Sequence, residues 1–382
     1  MRSLVKRFTE IETPFYWYDM GVLQATLDSL RSANSYGYHV HYALKANNNQ
    51  PILEMIRKAG LGVDCVSGNE VKLALEYGFS PKDIVLAGVG KTDKEIKYAI
   101  DQDIFSFNVE SIQELEVINE IAGGRGKRPN ISMRINPAID AGTHYKITTG
   151  AKENKFGISR EELLQSLDLI QSMEHIHFIG VHYHIGSQIT DLTRFKNLAS
   201  RVNEIQTELV SRGVELPHLN VGGGLGIDYL QPDQNPVPDF ENYFRIFNEY
   251  VDLLPGQEMH FELGRSIVGQ CGSLISRVLF LKESGETSFL IIDAGMTDLM
   301  RPALYSAEHL VENLSSESQE VGQYDVVGPV CESSDVFNKK ISLPKSKRGD
   351  IVVLRSAGAY GETMKNAYNV RDLAKAYYST EL

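Results

Sequence analysis

From about residue 38 the chain repeats one theme eight times: a short β-rich run, a polar or glycine-containing tip, then an amphipathic stretch. The predicted strands are Tyr38–Leu44, Gly62–Val66, Ile84–Ala87, Ile104–Val109, Ile131–Asn136, Phe178–His184, His218–Val221 and Glu258–Leu263. Helix-like segments lie between them, among them Gln50–Ala59, Gly68–Tyr77, Thr92–Ile100 and Ser111–Ala122. Eight strand–helix units in succession predict a parallel (β/α)8 TIM barrel. A doubly wound sheet, the competing α/β fold, stops more naturally at five or six strands.

After Arg265 the pattern changes. Leu274–Lys282, Ser288–Asp293, Gly322–Val330 and Asp350–Ser356 read as strands with little helix between them, which predicts a separate C-terminal β domain, a sandwich or small barrel. A short β-like run, Phe15–Asp19, precedes the first barrel unit, so the N-terminal strand is expected to join that domain. The expected division is a barrel over 26–265 and a β domain built from 1–25 and 266–382. The 382 residues suit a barrel with such an appendage.

Charge narrows the partners. Fifty acidic against 38 basic residues leave a net charge of -12, and no basic block exists to neutralise phosphates, which argues against a nucleic-acid partner. No apolar run reaches bilayer length and no signal-peptide pattern follows Met1, so neither a membrane nor export is expected. Cys65, Cys271 and Cys331 are odd in number and widely spaced, which disfavours a disulfide framework or a zinc knuckle and suits a reducing cytoplasm.

In a barrel, chemistry gathers at the carboxyl ends of the strands. Those positions hold Lys45, Asp64, Ser67, Asn108, Arg134, His184, Ser187, Gly222–Gly224, Glu262 and Arg265. Lys45 ends an apolar strand. It is either a solvated lysine at a strand tip or an amine whose ammonium form is disfavoured by its pocket and which can condense with an aldehyde cofactor. The run Val221-Gly222-Gly223-Gly224-Leu225-Gly226 is either a tight turn or, with Ser187 and Arg265, a cup for a phosphate; Ile227 breaks the dinucleotide-binding pattern. His182 and His184 alternate on one face, a spacing open to a metal pair, a hydrogen-bonded core histidine (His182) or a ring packed on an aromatic cofactor (His184). The metal reading is the weaker, because a metal pair of that kind belongs on the first strand, where Lys45 stands. Glu262 forms either a plain salt bridge or the partner of a pyridine nitrogen, which it would keep protonated so that the ring acts as an electron sink.

Together these residues resemble the fold-type III, alanine-racemase-like pyridoxal-phosphate enzymes, and more closely the diaminopimelate decarboxylase family. The resemblance runs through Tyr42-Ala43-Leu44-Lys45-Ala46-Asn47, Asp64-Cys65-Val66-Ser67-Gly68-Asn69-Glu70, Gly90-Lys91-Thr92-Asp93, Asn154-Lys155-Phe156-Gly157-Ile158 and His184-Ile185-Gly186-Ser187-Gln188. It continues through Gly222-Gly223-Gly224, Asp293-Ala294-Gly295-Met296, Gly328-Pro329-Val330-Cys331-Glu332-Ser333 and Gly358-Ala359-Tyr360-Gly361. It implies pyridoxal 5'-phosphate carried on Lys45, with His184 against the ring and Glu262 at its nitrogen. Ser187, Gly223, Gly224, Gly264 and Tyr360 would surround the phosphate, with Arg265 beside them.

For the substrate, the resemblance implies that Arg265, Arg301 and Tyr305 meet the far carboxylate, that Tyr360 also contacts the substrate, that Glu332 takes the far ammonium and that Cys331 donates a proton. Cys331 and Glu332 would come from the second subunit of a homodimer. The implied reaction is decarboxylation of meso-2,6-diaminopimelate to L-lysine. A distal arginine suits a substrate with a second carboxylate better than ornithine, arginine or carboxynorspermidine; a structural salt bridge is the plainer role for Arg301. Glu262 argues against a racemase, and the β domain against a pyridoxal-phosphate carrier without catalysis. Two departures stand out: Leu263 where the family has proline, and the stretch Glu362–Ala367. The segment Ala138–Lys155 is expected to be a mobile loop.

Overall fold

The structure is a computed structural model that describes residues 1–139 and 155–381. The loop expected over Ala138–Lys155 falls almost wholly on 140–154, outside the described residues. By contacts the chain forms two compact units, Leu27–Gly226 with Asp239–Gly264, and Met1–Thr26 with Ile227–Pro238 and Arg265–Leu382. Residues Ile227–Pro238 thus belong to the second, although they interrupt the stretch read from sequence as barrel.

Strand β1 (Phe15–Tyr18) is followed by β2 (His39–Ala43), β3 (Gly62–Cys65), β4 (Ile84–Leu86), β5 (Ser106–Val109), β6 (Asn130–Arg134), β7 (His177–His182), β8 (His218–Asn220) and β9 (Glu258–Leu263). In the first unit β2 to β9 close in chain order into a parallel barrel. The seam is the β2–β9 pair, with His39 opposite His260 and His41 opposite Glu262. Each strand is largely buried, as a sheet covered on both faces requires, and several carry polar residues into the barrel interior. Several connecting helices begin on side-chain caps. Ser67, Thr92, Ser111 and Ser159 each accept from the backbone N–H three residues on, and Thr92 with Glu95 completes a reciprocal capping box. Helix Gln50–Lys58 turns Ile52, Leu53 and Ile56 inward, and burial of each contributes roughly 1.5–3 kcal/mol. The expected barrel strands are all present, six of them a residue or two shorter at the carboxyl end, with β6 and β7 starting one residue earlier; β9 matches in full.

The second unit contains β1 and β10 (Gly272–Ser284), β11 (Thr287–Ile292), β12 (Val311–Asn313), β13 (Val321–Val327), β14 (Val336–Pro344), β15 (Ile351–Leu354) and β16 (Lys375–Tyr378). Its sheet runs β12-β15-β10-β11-β13-β14, with β1 beside β10 and β16 beside β1. Strand β10 changes neighbours near Val278: residues up to Arg277 pair with β1 and β15 and those from Val278 on with β11, where the register shifts between Val278 and Phe280. Such a bulge bends a strand and lets one ribbon serve two sheet regions. The N-terminal strand does join this domain, antiparallel to β10 and parallel to β16. Phe15 and Trp17 enter a cluster with Phe8, Ile275, Leu314, Ile351 and Val353. Strands β12, β14 and β16 and the short helix Arg301–Tyr305 have no counterpart among the elements predicted from sequence. The adjacent Lys339 and Lys340 of β14 are exposed, as suits the edge of a sheet, and they mask its β pattern.

Candidate active site

Lys45 rides on a single 3-10 turn, Leu44–Ala46, at the carboxyl end of β2. Its Nζ lies 2.5 Å from Oδ2 of Asp64, the β3 residue opposite Ala43. Asp64 is buried, and its Oδ1 has no hydrogen-bond partner among the described residues. Burial pushes this carboxyl upward and the Lys45 ammonium only partly offsets it. Asp64 is thus a carboxyl within hydrogen-bond reach of Lys45 whose ionised form burial disfavours.

Glu262 sits inside the barrel near the end of β9, buried. Its Oε1 accepts from Asn108 Nδ2 at 2.7 Å and Asn220 Nδ2 at 2.8 Å, and its Oε2 lies 3.1 Å from His182 Nε2. Burial alone would raise this carboxyl. The His182 interaction, by charge and hydrogen bond, with Lys45 adding, holds it well below the usual carboxylate range. Three strands thus contribute donors to one permanently ionised oxygen pair.

His184 lies beyond the end of β7 and accepts from the Gly223 N–H at 3.2 Å through Nδ1. Burial, then the Arg134 charge, lowers its pKa to about 3, so the ring is neutral. His182 is committed to Glu262 and His184 to Gly223, so the two do not converge as a metal pair.

The glycine run owes its composition to close packing. A Cβ on Gly222 would lie 2.2 Å from the Tyr183 carbonyl, on Gly223 1.8 Å from the Glu262 carbonyl and on Gly224 2.5 Å from the Gly186 carbonyl. Only bare backbone fits between the ends of β7 and β9. The Gly222 and Gly223 N–H groups already bond Asn220 and His184, so the run's demonstrable role is this backbone approach. Ser187 is half-buried on the neighbouring loop, which Ile189 ties to Gly224 by a 2.9 Å backbone bond. Gly264 is buried just past β9. Leu263 is itself the last residue of β9, opposite Tyr42, and extends the ladder where a proline would remove a donor.

The second unit carries its own constellation. Arg265 donates to Tyr229 Oη at 2.5 Å and its guanidinium lies 4.9 Å over the Tyr360 ring. Arg301, the first residue of its short helix and 3 % exposed, lies 4.7 Å over Tyr229 and 2.9 Å from His309 Nε2. His309 Nδ1 donates to the Arg355 carbonyl at 2.8 Å, which leaves Nε2 as an acceptor for Arg301. Burial and then the Arg301 charge lower the His309 pKa to about 3. Among the described residues no carboxylate pairs with Arg301, and burial depresses the guanidinium's pKa. Tyr305 ends the same helix, half-buried. Cys331 and Glu332 lie exposed on a loop fixed by Asp335, whose carboxylate accepts from the backbone of Met296 and Val330. Glu332 takes a 2.7 Å bond from Tyr368, and the Cys331 N–H reaches Asn369.

Sequence reasoning gave Asp64 and Asn108 no role beyond their place at strand ends, and it missed Asn220, Tyr229 and His309. Asn220 stands two residues from His218 on the same strand face, a periodicity that could have flagged it. Nothing local announces Tyr229 or His309. The expected motif Gly90–Asp93 proves structural: Lys91 is buried against Glu114 and the Gly88 and Asn108 carbonyls.

A closed parallel barrel with a lysine at the end of its first strand and a buried, ionised glutamate on its last defines a class of cofactor-dependent barrel enzymes. Residues 23–269 match the family model described as pyridoxal-dependent decarboxylase, pyridoxal binding domain. The chain is 53% identical over 380 residues to a diaminopimelate decarboxylase of Bacteroides thetaiotaomicron, covering 99% of this chain and 98% of that protein. It is 39% identical over 363 residues to the Aquifex aeolicus enzyme of the same name, covering 95% and 85%. A crystal structure of Helicobacter pylori diaminopimelate decarboxylase, a point mutant complexed with L-lysine, superposes with a TM-score of 0.92 at 37% identity, covering 99% of this chain and 94% of that one. The chain belongs to the diaminopimelate decarboxylase family of pyridoxal-dependent decarboxylases.

Proposed function

We propose that this chain decarboxylates meso-2,6-diaminopimelate to L-lysine and carbon dioxide, a step of lysine biosynthesis, with pyridoxal 5'-phosphate held on Lys45. The observation that carries the reaction type is Glu262, a buried carboxylate kept ionised by Asn108, Asn220 and His182. The substrate rests on 53% identity to a diaminopimelate decarboxylase across nearly the whole chain. The residues fit the cofactor: a partly exposed lysine, a permanent anion on a neighbouring strand, a neutral imidazole and a glycine cradle that no side chain could enter.

Bound through Lys45, pyridoxal phosphate supplies an electron-withdrawing ring that accepts the electron pair left as the bond to carbon dioxide breaks. Asp64 takes up the proton that Lys45 must shed to act as an amine. Glu262 holds a proton on the ring nitrogen, and its two asparagines and histidine keep the carboxylate from rotating away. Neutral His184 offers a flat face without adding positive charge. Ser187, Gly223, Gly224, Gly264, Arg265 and Tyr360 hold the phosphate.

Arg301, whose guanidinium has no acidic partner among the described residues, grips the substrate's far carboxylate with Arg265, Tyr305 and Tyr360. Glu332 pairs with the far ammonium, and Cys331 returns a proton to the substrate carbon. Both stand on an exposed loop, which supports a homodimer in which each copy lends them to the other's site. The proposed domains are 26–265 and 1–25 with 266–382, with Ile227–Pro238 moved to the second. Cytoplasmic location is part of the same reading; among the described residues no helix is long and apolar enough to cross a membrane.

The test is carbon dioxide release by purified protein supplied with pyridoxal phosphate and offered meso-diaminopimelate, ornithine or arginine. Release from diaminopimelate alone supports the assignment. Release only from another amino acid overturns the substrate, and none from any of the three overturns the function.

A further inference from the structure

At the amino-terminal end of the barrel, opposite the strand ends that carry Lys45 and Glu262, a second cluster of ligating side chains straddles the seam. His39 begins β2; Glu258 and His260 stand two apart on β9 and so share a face, with His260 directly opposite His39. The ligand atoms of His39, Glu258 and His260 all lie within 4.8 Å of one another. Glu258 Oε2 is 3.8 Å from His39 Nε2 and 3.8 Å from His260 Nε2, too long for hydrogen bonds.

A relay behind His260 fixes its tautomer. The Asp83 carbonyl, 3.3 Å from His41 Nδ1, can only accept, so His41 carries its proton there. His41 Nε2, left as an acceptor, lies 3.0 Å from His260 Nδ1, which therefore holds the His260 proton. His260 Nε2 is thus a bare lone pair. It is buried with no hydrogen-bond partner among the described residues, on a side chain only 2 % exposed, and it points at the cluster. Gly62 clears the way for this relay: a Cβ there would lie 2.5 Å from the Asp83 carbonyl and 2.6 Å from His41 Nδ1. Phe105 stacks on the His260 ring at 5.3 Å and holds its plane, and the exposed His39 ring lies 4.5 Å away, nearly parallel to it.

A buried, unprotonated imidazole nitrogen with its second nitrogen anchored is how proteins present histidine to a metal. We infer that His39, Glu258 and His260 form a site for a divalent transition ion of the zinc class, with solvent in the remaining position. Two imidazoles and one carboxylate suit that ion, at bond lengths of about 2.0–2.2 Å. Tetrahedral bonds of that length set ligand atoms about 3.3 Å apart, so Glu258 must close by about half an ångström from 3.8 Å and the His39 ring must swing out of its near-parallel stack on His260 to turn its nitrogen toward the ion. His39 and Glu258 are exposed and can make these movements while His260 stays fixed. The ion would clamp β2 to β9, the first and last strands of the barrel, at the end remote from the decarboxylase residues. Its role is structural, and it stands whether or not the proposed reaction is correct.

The probe is cobalt(II), with zinc as competitor, added to chelator-treated holoenzyme. Wild type is expected to bind one cobalt per chain with the visible absorption of a low-coordinate site, to release it to zinc, and to unfold at higher temperature when loaded. His39→Ala and Glu258→Gln, both at exposed positions, should keep the circular dichroism and decarboxylase activity of wild type while each weakens cobalt binding by about tenfold or more. Substoichiometric binding by wild type, or wild-type affinity in either variant, overturns the site.

Discussion

Replacing Arg301 by lysine isolates the group that the proposed substrate requires. Arg301 is buried, stacks on Tyr229 and spends one nitrogen on His309, leaving the rest of its planar fork for a carboxylate. Lysine keeps the charge but offers a point donor that cannot serve His309 and both oxygens of a carboxylate at once. Loss of one charge-assisted hydrogen bond costs about 1.5–3 kcal/mol. At 1.4 kcal/mol per decade, that is a fall of roughly 10- to 150-fold in kcat/KM for diaminopimelate. The loss should appear mostly in KM if the grip is equal in the ground and transition states. Lost stacking adds about 0.5–2 kcal/mol of destabilisation. The assay is carbon dioxide release across a substrate series, with cofactor absorbance and a urea curve as controls. A variant with native absorbance and wild-type kcat/KM would refute the distal-carboxylate role of Arg301.

Other outcomes follow from the same geometry. Glu262→Gln removes the anion and the charged partner of His182 Nε2, whose Nδ1 has no partner to compensate, and we expect roughly 1–3 kcal/mol of lost stability by urea titration and a fall in kcat of about 100-fold or more. Gly223→Ala drives a methyl against the Glu262 carbonyl and should cost about 1–3 kcal/mol together with cofactor retention, whereas Gly90→Ala, with nothing within 4 Å of the new methyl, should behave as wild type in the same thermal and absorbance measurements. His309 has a folded pKa of about 3, below its unfolded value of 6.5, so between those limits the unfolded chain takes a proton that the folded one refuses. Stability therefore falls as pH falls through that window, by about 2 kcal/mol from this residue at pH 5, and His309→Gln should show a correspondingly shallower acid dependence in urea titrations.

The barrel was legible because its strands are apolar and spaced by amphipathic helices, and because strand ends carry their chemistry in short local motifs. Lys45, His184 and Glu262 could be picked out for that reason. Their supports could not. Asn108 meets Glu262 across 154 residues of chain and His41 meets His260 across 219, pairings set by barrel closure and by nothing in either segment. The β domain was harder for another reason. Strand β12 has only three residues and β14 exposes two lysines, so neither carries the alternation by which a strand is recognised. The helix bearing Arg301 is five residues long, too short to show a period.

The seam between β2 and β9 and the pairing of β1 with β16 set a timetable for synthesis. Strand β2 has one neighbour available early, but its second lies more than 200 residues downstream, roughly 10–45 s later at ribosomal speed. Strand β1 waits longer still for β16, whose last residue is Tyr378. A nascent chain cut short before that point lacks the strand that flanks its own beginning, and one cut before β9 leaves an open edge beside the lysine. Incomplete translation products are therefore expected to be substrates for chaperones and proteases and not to be partially working enzymes.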